Sequence, residues 1–146
     1  MSVKRRDPIL YDYYITDGTC NIQLQRCDKI KDLGVIIDSS LTFEDHIIEK
    51  VNKAYSVLGL IKRNFEHIGK DAFVLLYKSM VRSHLEFSNS VWSPYRVGLT
   101  EKIEKVQKRA TKLVPSCKGL PYSERLKVLD IPTVKYRHYR GDMIET

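Results

Sequence analysis

The chain predicts a mainly α fold, a helical bundle preceded by a small N-terminal antiparallel β-hairpin or sheet, and three observations carry that prediction. Phe43, Ile47, Val51, Ala54, Leu58, Ile61 and Phe65 recur at steps of four, four, three, four, three and four, the period of one helix face. Leu99, Ile103, Val106, Ala110 and Leu113 fall within an arc of roughly 80° at about 100° per residue, which marks a second amphipathic helix. Strand signals are confined to the start of the chain. With 146 residues the chain is long enough to bury one core, organised as a short β segment over 1–38 and a bundle over 39–146.

The elements follow in order. Ile9 to Ile15 is tyrosine-rich and runs into Thr16-Asp17-Gly18-Thr19, where Asp-Gly is a hairpin turn signal. Ile22 and Leu24 alternate with Asn21, Gln23 and Gln25, the pattern of a half-buried strand. Asp32 to Ile37 reads as a third, more buried strand, its Gly34 allowing a bulge or close backbone approach. Asp28 and Asp38 bracket that strand and belong in turns. Thr42 is placed to cap a helix over 43–63, with Glu44 and Asp45 in the favourable first turn. Asp71 to Glu86 predicts a further helix with a broad apolar face of Phe73, Leu76, Tyr77, Met80, Val81 and Leu85. Phe87 to Gly98 is turn-rich, and Pro115 to Pro121 is a loop. Tyr122 to Leu129 and Pro132 to Ile144 predict two last helices, Thr133 being placed as a cap.

The formal net charge is +7, and its distribution is uneven. Residues 101 to 140 hold eleven Lys/Arg against four Asp/Glu, so a polyanion-facing surface, if present, is C-terminal. In the helix from Leu99 to Val114, Lys102, Lys105, Lys108, Arg109 and Lys112 share another arc of roughly 120°, separate from the apolar stripe. Glu101 can pair with Lys105 and Glu104 with Lys108 at i,i+4, while Lys102, Arg109 and Lys112 have no such partner. On this strip alone a solvated face is the first reading and nucleic-acid contact the second.

Other residues carry similar alternatives. Trp92, the single tryptophan, reads first as a core residue and second, with Tyr95, as a ring that stacks on bases beside the basic helix. Arg137 and Arg140, one turn apart, suit a phosphate or a carboxylate such as Asp142. Three cysteines without a CxxC pair argue against a disulfide framework or zinc site, and His46, His67, His84 and His138 are scattered, each read as a surface or partly packed residue. There is no apolar run long enough to cross a bilayer and no secretory leader pattern behind MSVKRRDP, so an intracellular location, cytoplasmic or nuclear, and no membrane partner are expected. The sequence also lacks an Asp-Asp pair, a phosphate loop, a GxSxG elbow and an HExxH helix. Catalysis is therefore not expected.

Four collinear phrases carry a resemblance: KDLGVIIDSSLTFEDHI (Lys31 to Ile47), LLYKSMVRSHLEFSNSVWSPY (Leu75 to Tyr95), EKVQKRATKLV (Glu104 to Val114) and a tail of YSERLKVLDIP and YRHYRGDMIE. Together they resemble the C-terminal part of reverse transcriptases from non-LTR, LINE-type retrotransposons, particularly jockey-like ones, over about residues 20 to 146. The resemblance implies the end of a palm followed by a helical thumb that holds an RNA/DNA template–primer duplex. It implies that Leu33, Gly34 and Val35 lie by the primer terminus and that Lys102, Lys105, Lys108, Arg109 and Lys112 contact phosphates, which makes binding and solvation equal readings of the strip.

The aromatic-Ala-Asp-Asp motif of that family is missing here, so the resemblance implies a truncated, non-catalytic fragment without a cofactor of its own. Mg²⁺ would belong only to the full-length enzyme. Apolar surface that faces palm and fingers in the parent enzyme would be exposed, with self-association as a consequence. The rival expectation is a helical protein-interaction module with an incidental basic face.

Overall fold

The computed structural model describes the backbone of residues 12–18, 20–94 and 96–145. Its class is the expected one, mainly α with small antiparallel sheets in front. The β segment consists of two separate hairpins. Strands β1 (Tyr14–Asp17) and β2 (Cys20–Gln23) pair with Tyr14 opposite Gln23, and β3 (Lys29–Asp32) and β4 (Val35–Asp38) pair with Lys29 opposite Asp38. The strand expected over 9–15 lies partly outside the described residues.

Two expectations for this segment are corrected. Ile22 and Leu24 are exposed, as are Tyr14 and Ile15, because alternation buries a strand only where something covers one face of it. The single strand expected from Asp32 to Ile37 is instead split by a two-residue turn at Leu33-Gly34, with φ of 45° and 81°. A turn with positive φ at both positions matches the twist of the flanking strands. Gly34 suits it and also meets the Phe87 ring, which a Cβ would approach to 3.3 Å. Leu33 is a residue that L-stereochemistry disfavours there by roughly 1–2 kcal/mol.

The second hairpin is fastened to the bundle. Val35 is 5% exposed and joins the core, the Ile36 amide donates to His46 Nδ1 at 3.2 Å, and Lys31 pairs with Glu49 at 3.1 Å. Asp38 organises the link to the first helix. Its carboxylate accepts from the amides of Ser40 (3.0 Å), Thr42 (3.0 Å) and Phe43 (2.7 Å) and from the Thr42 hydroxyl (3.0 Å), and these bonds, the Thr42 amide first, hold its pKa below the ordinary carboxylate range. The cap expected at Thr42 is thus displaced: Phe43, at φ 54°, occupies the N-cap position.

Helix α1 (Glu44–Asn64) is 21 residues long and buries Ile47, Val51, Ala54, Leu58 and Ile61 as its spacing predicted; Phe65 beyond it is exposed. The next unit is α2 (Lys70–Leu76), a π-helical run (Tyr77–Arg82) and α3 (Ser83–Glu86). Phe73, Tyr77, Val81 and Leu85 are completely buried along it. Steps of four drift by about 40° each in an α-helix, and the wider π winding returns the row to the core. The buried row is consequently narrow, leaving Met80 exposed and Leu76 half-buried, not the broad face expected.

A short helix α4 (Asn89–Trp92) interrupts the turn-rich stretch and is followed by α5 (Val97–Ala110), which continues through tight turns at Thr111–Leu113 and Pro115–Cys117. Helices α6 (Tyr122–Leu129) and α7 (Val134–Glu145) close the chain. Thr133 caps α7 as expected, accepting from the Tyr136 amide at 3.1 Å. Arg125, buried, caps the other end of α5, donating to the Lys108 carbonyl and to Thr111 Oγ1, each at 3.0 Å.

A buried polar chain ties these helices together. Tyr77 Oη donates to Gln107 Oε1 at 2.6 Å, and Gln107 Nε2 donates to the Pro132 carbonyl at 2.9 Å and to Tyr122 Oη at 3.1 Å. The Tyr122 hydroxyl donates in turn to Glu104, whose second oxygen accepts from the Val134 and Lys135 amides at the start of α7. Burial, then the Glu104 carboxylate, push the Tyr122 phenol well above its ordinary range, so it stays a donor. Replacing Gln107 with Leu strands the Tyr77 hydroxyl and the Pro132 carbonyl. The expected loss is about 2–3 kcal/mol, read as a lower denaturation midpoint in urea with an unchanged slope.

Candidate nucleic-acid interface

The basic strip forms because the same helix that buries Leu99, Ile103, Val106 and Ala110 must present the rest of its circumference outward. Lys102, Lys105, Lys108, Arg109 and, in the turn beyond, Lys112 are all exposed. The local pairing differs from the i,i+4 scheme. Among the described residues neither Glu101 with Lys105 nor Glu104 with Lys108 forms an ion pair, because Glu104 turns inward to Tyr122 and α7. Lys102 instead lies 3.8 Å from Glu44 of α1, Arg109 sits 5.6 Å over the Tyr55 ring, and Lys108 sits 5.3 Å over the Tyr122 ring.

These contacts orient the cations without neutralising the strip. The Lys102 pair is long and half-exposed, which makes it weak, and a cation over a ring keeps its full charge. Lys105 and Lys112 have no ion-pair partner among the described residues. Next to Lys112, a shallow cleft also receives Lys62 and Lys118. With Glu66 also in the lining, these lysines leave the cleft past the end of α5 with three cations against one acid. Sequence gave no signal for Lys62, because α1 and the loop after α5 are brought together only by packing.

Other residues expected at the site lie elsewhere. Trp92 is 1% exposed and offers no face to a base, since its ring is packed against His46 (centroids 5.3 Å) and edge-on to His138 (5.7 Å) while Nε1 donates to the Phe87 carbonyl. A large ring gains more from that burial than from solvent exposure. Arg137 is committed to Glu86 through a two-pronged pair, Nε to Oε1 at 2.8 Å and Nη2 to Oε2 at 3.1 Å. Its partner is thus Glu86, and the fork bound there is not open to a phosphate, while the side chain of Asp142 lies outside the described residues. Arg140 remains exposed on α7. Tyr95 lies outside the described residues. Of the three positions expected by a primer terminus, Leu33 is 89% exposed at the hairpin tip, Gly34 is beside it, and Val35 is in the core.

No group of three or more His, Cys, Asp or Glu side chains converges among the described residues, and the Asp38 carboxylate is taken up by backbone amides. No described helix is long and apolar enough to cross a membrane. No protein-family model, curated protein or solved structure matches the chain.

Two of the scattered histidines prove to be core residues. His46 is fully buried and accepts the Ile36 amide at Nδ1, which assigns the proton of its neutral form to Nε2. His138 contacts the Leu85 carbonyl through Nε2 at 3.1 Å. Burial, followed by Lys50, pushes the His46 imidazole below its ordinary range, Lys31 adding to that and Glu49 opposing it. The unfolded chain therefore takes a proton below about pH 6.5 that the folded chain refuses. Stability is expected to fall as pH drops from about 6.5 toward that lowered value, and a His46→Gln chain to lose part of this dependence. Thermal melts across that range, followed by Trp92 fluorescence, measure both.

Proposed function

We propose that this chain is a thumb-type nucleic-acid-binding unit of the LINE-type reverse-transcriptase kind, holding a template–primer duplex by its phosphates without extending it. The observation that carries the proposal is the rigid, outward-facing row of Lys105, Lys108, Arg109 and Lys112 on α5 and the turn after it. Phosphate binding by such a row is independent of base sequence and is driven by release of counterions. The four phrases that resemble the family support the same reading, since the basic row lies within one of them. The sequence holds no Asp-Asp pair, and among the described residues no cluster of three or more His, Cys, Asp or Glu accompanies the row, where strand extension needs carboxylates that seat two metal ions.

If about three phosphates are neutralised, affinity for a primer–template should drop roughly 40-fold between about 50 and 200 mM salt. Fluorescence anisotropy with a labelled duplex measures this, and joint reversal of Lys105, Lys108 and Arg109 to Glu should abolish the binding. A response that is flat to salt and to charge reversal overturns the proposal.

The exposed β1–β2 hairpin favours a second reading, an interaction module that binds protein. Tyr14, Ile15, Ile22 and Leu24 leave its apolar side chains in water, and a two-stranded hairpin is marginal unless something covers it. We expect concentration-dependent self-association, visible in sedimentation velocity and reduced by Ile15→Lys with Ile22→Lys. A strict monomer with a single sharp melting transition would count against it.

A further inference from the structure

A cleft of about 570 Å³ opens beside the basic row, between the start of α5 and the outer face of α7. Its apolar surface comes from Pro94 and Val97 and from the rings of Tyr122 and Tyr139, with polar and charged groups between them. Val97 is 73% and Tyr139 61% exposed, although both belong to ordered helices, so each presents a bare surface at no cost in unfolding. Lys108 and Lys135 stand among the lining residues, and Lys135 reaches 6.0 Å over the Tyr139 ring. Two carboxylates line the same cleft: Glu104, whose oxygens are taken up by Tyr122 and the first amides of α7, and Glu101, which has no ion pair among the described residues.

Rings, two lysines and an acceptor in one cleft match one chemistry. A nucleotide has a flat apolar base with donor groups on its edge and a phosphate at its other end. We propose that the cleft takes one unpaired nucleotide of the bound nucleic acid, its base stacked on Tyr139 and its phosphate held by Lys108 and Lys135. This rests on the phosphate-binding reading of α5 and adds a preference to it. Lys108 belongs to both surfaces, so a strand tracked along Lys112, Lys105 and Lys108 leads directly to the cleft. The volume lies within the range of pockets that enclose a small ligand, whereas a base pair inside a duplex has both faces stacked on its neighbours and is too wide for the cleft.

The test compares a blunt hairpin duplex with the same duplex carrying one unpaired nucleotide, by anisotropy at fixed salt. Stacking of one base on a protein ring predicts roughly tenfold tighter binding of the overhang, and 2-aminopurine at the overhang should be quenched on binding. Val97→Trp, which fills the cleft from an exposed helix start, and Tyr139→Ala, which removes the ring, should each reduce the overhang to the blunt affinity. Equal affinity of the unaltered chain for the two duplexes overturns the cleft proposal alone, as does a preference that survives both substitutions. Failure to bind either duplex overturns the phosphate-binding reading and the cleft with it.

Discussion

The bundle depends on the buried chain of hydrogen bonds from Tyr77 through Gln107 and Tyr122 to Glu104. A carboxamide has two donors and two acceptor sites, and burying one unpaired is costly. Gln107 can be satisfied only if the π-helical run, α5, α6 and the Pro132 turn are all in register at once. That requirement sets the rotation of α5 about its axis. It also brings Glu104 to the start of α7, where two backbone amides and the helix dipole compensate its charge.

The functional surface follows from this constraint. With Gln107 and Glu104 turned inward, Glu101 is the acid that α5 still presents to solvent beside its cations, and the outward face is more positive than the sequence of that helix suggests. Packing then sorts the remaining cations. Arg125 is drawn inside to cap α5, Arg137 is held by Glu86, and Lys102 leans on Glu44. Lys105, Lys108, Arg109 and Lys112 remain outward, and α7 places Lys135 and Tyr139 alongside them.

The two hairpins differ in what they contribute. The β3–β4 hairpin is continuous with the core through Val35 and through the Ile36 bond to His46, and His46 is in turn packed on Trp92. One cluster of ring contacts, tilted between His46 and Trp92 and edge-on between Trp92 and His138, therefore joins the hairpin, α1, α4 and α7. The β1–β2 hairpin buries none of its apolar residues. Its apolar side chains lie in solvent, while the bundle has its own core.

Much of this was legible in the sequence. The steps of three and four in α1 and α5, the boundaries of α6 and the Thr133 cap depend on local periodicity and on side chains near in the chain, so residues alone determined them, as they did the mainly α class and the basic row. Tertiary structure alone decided the rest. The turn at Leu33-Gly34 carries a residue that turn chemistry disfavours, the π run shows only where four residues must reach one core, and the burial of Gln107, Trp92, His46 and His138 depends on partners 15 to 53 residues away. A polar or aromatic side chain has no fixed side of its own, and which way it faces is settled by whether a distant group completes its hydrogen bonds.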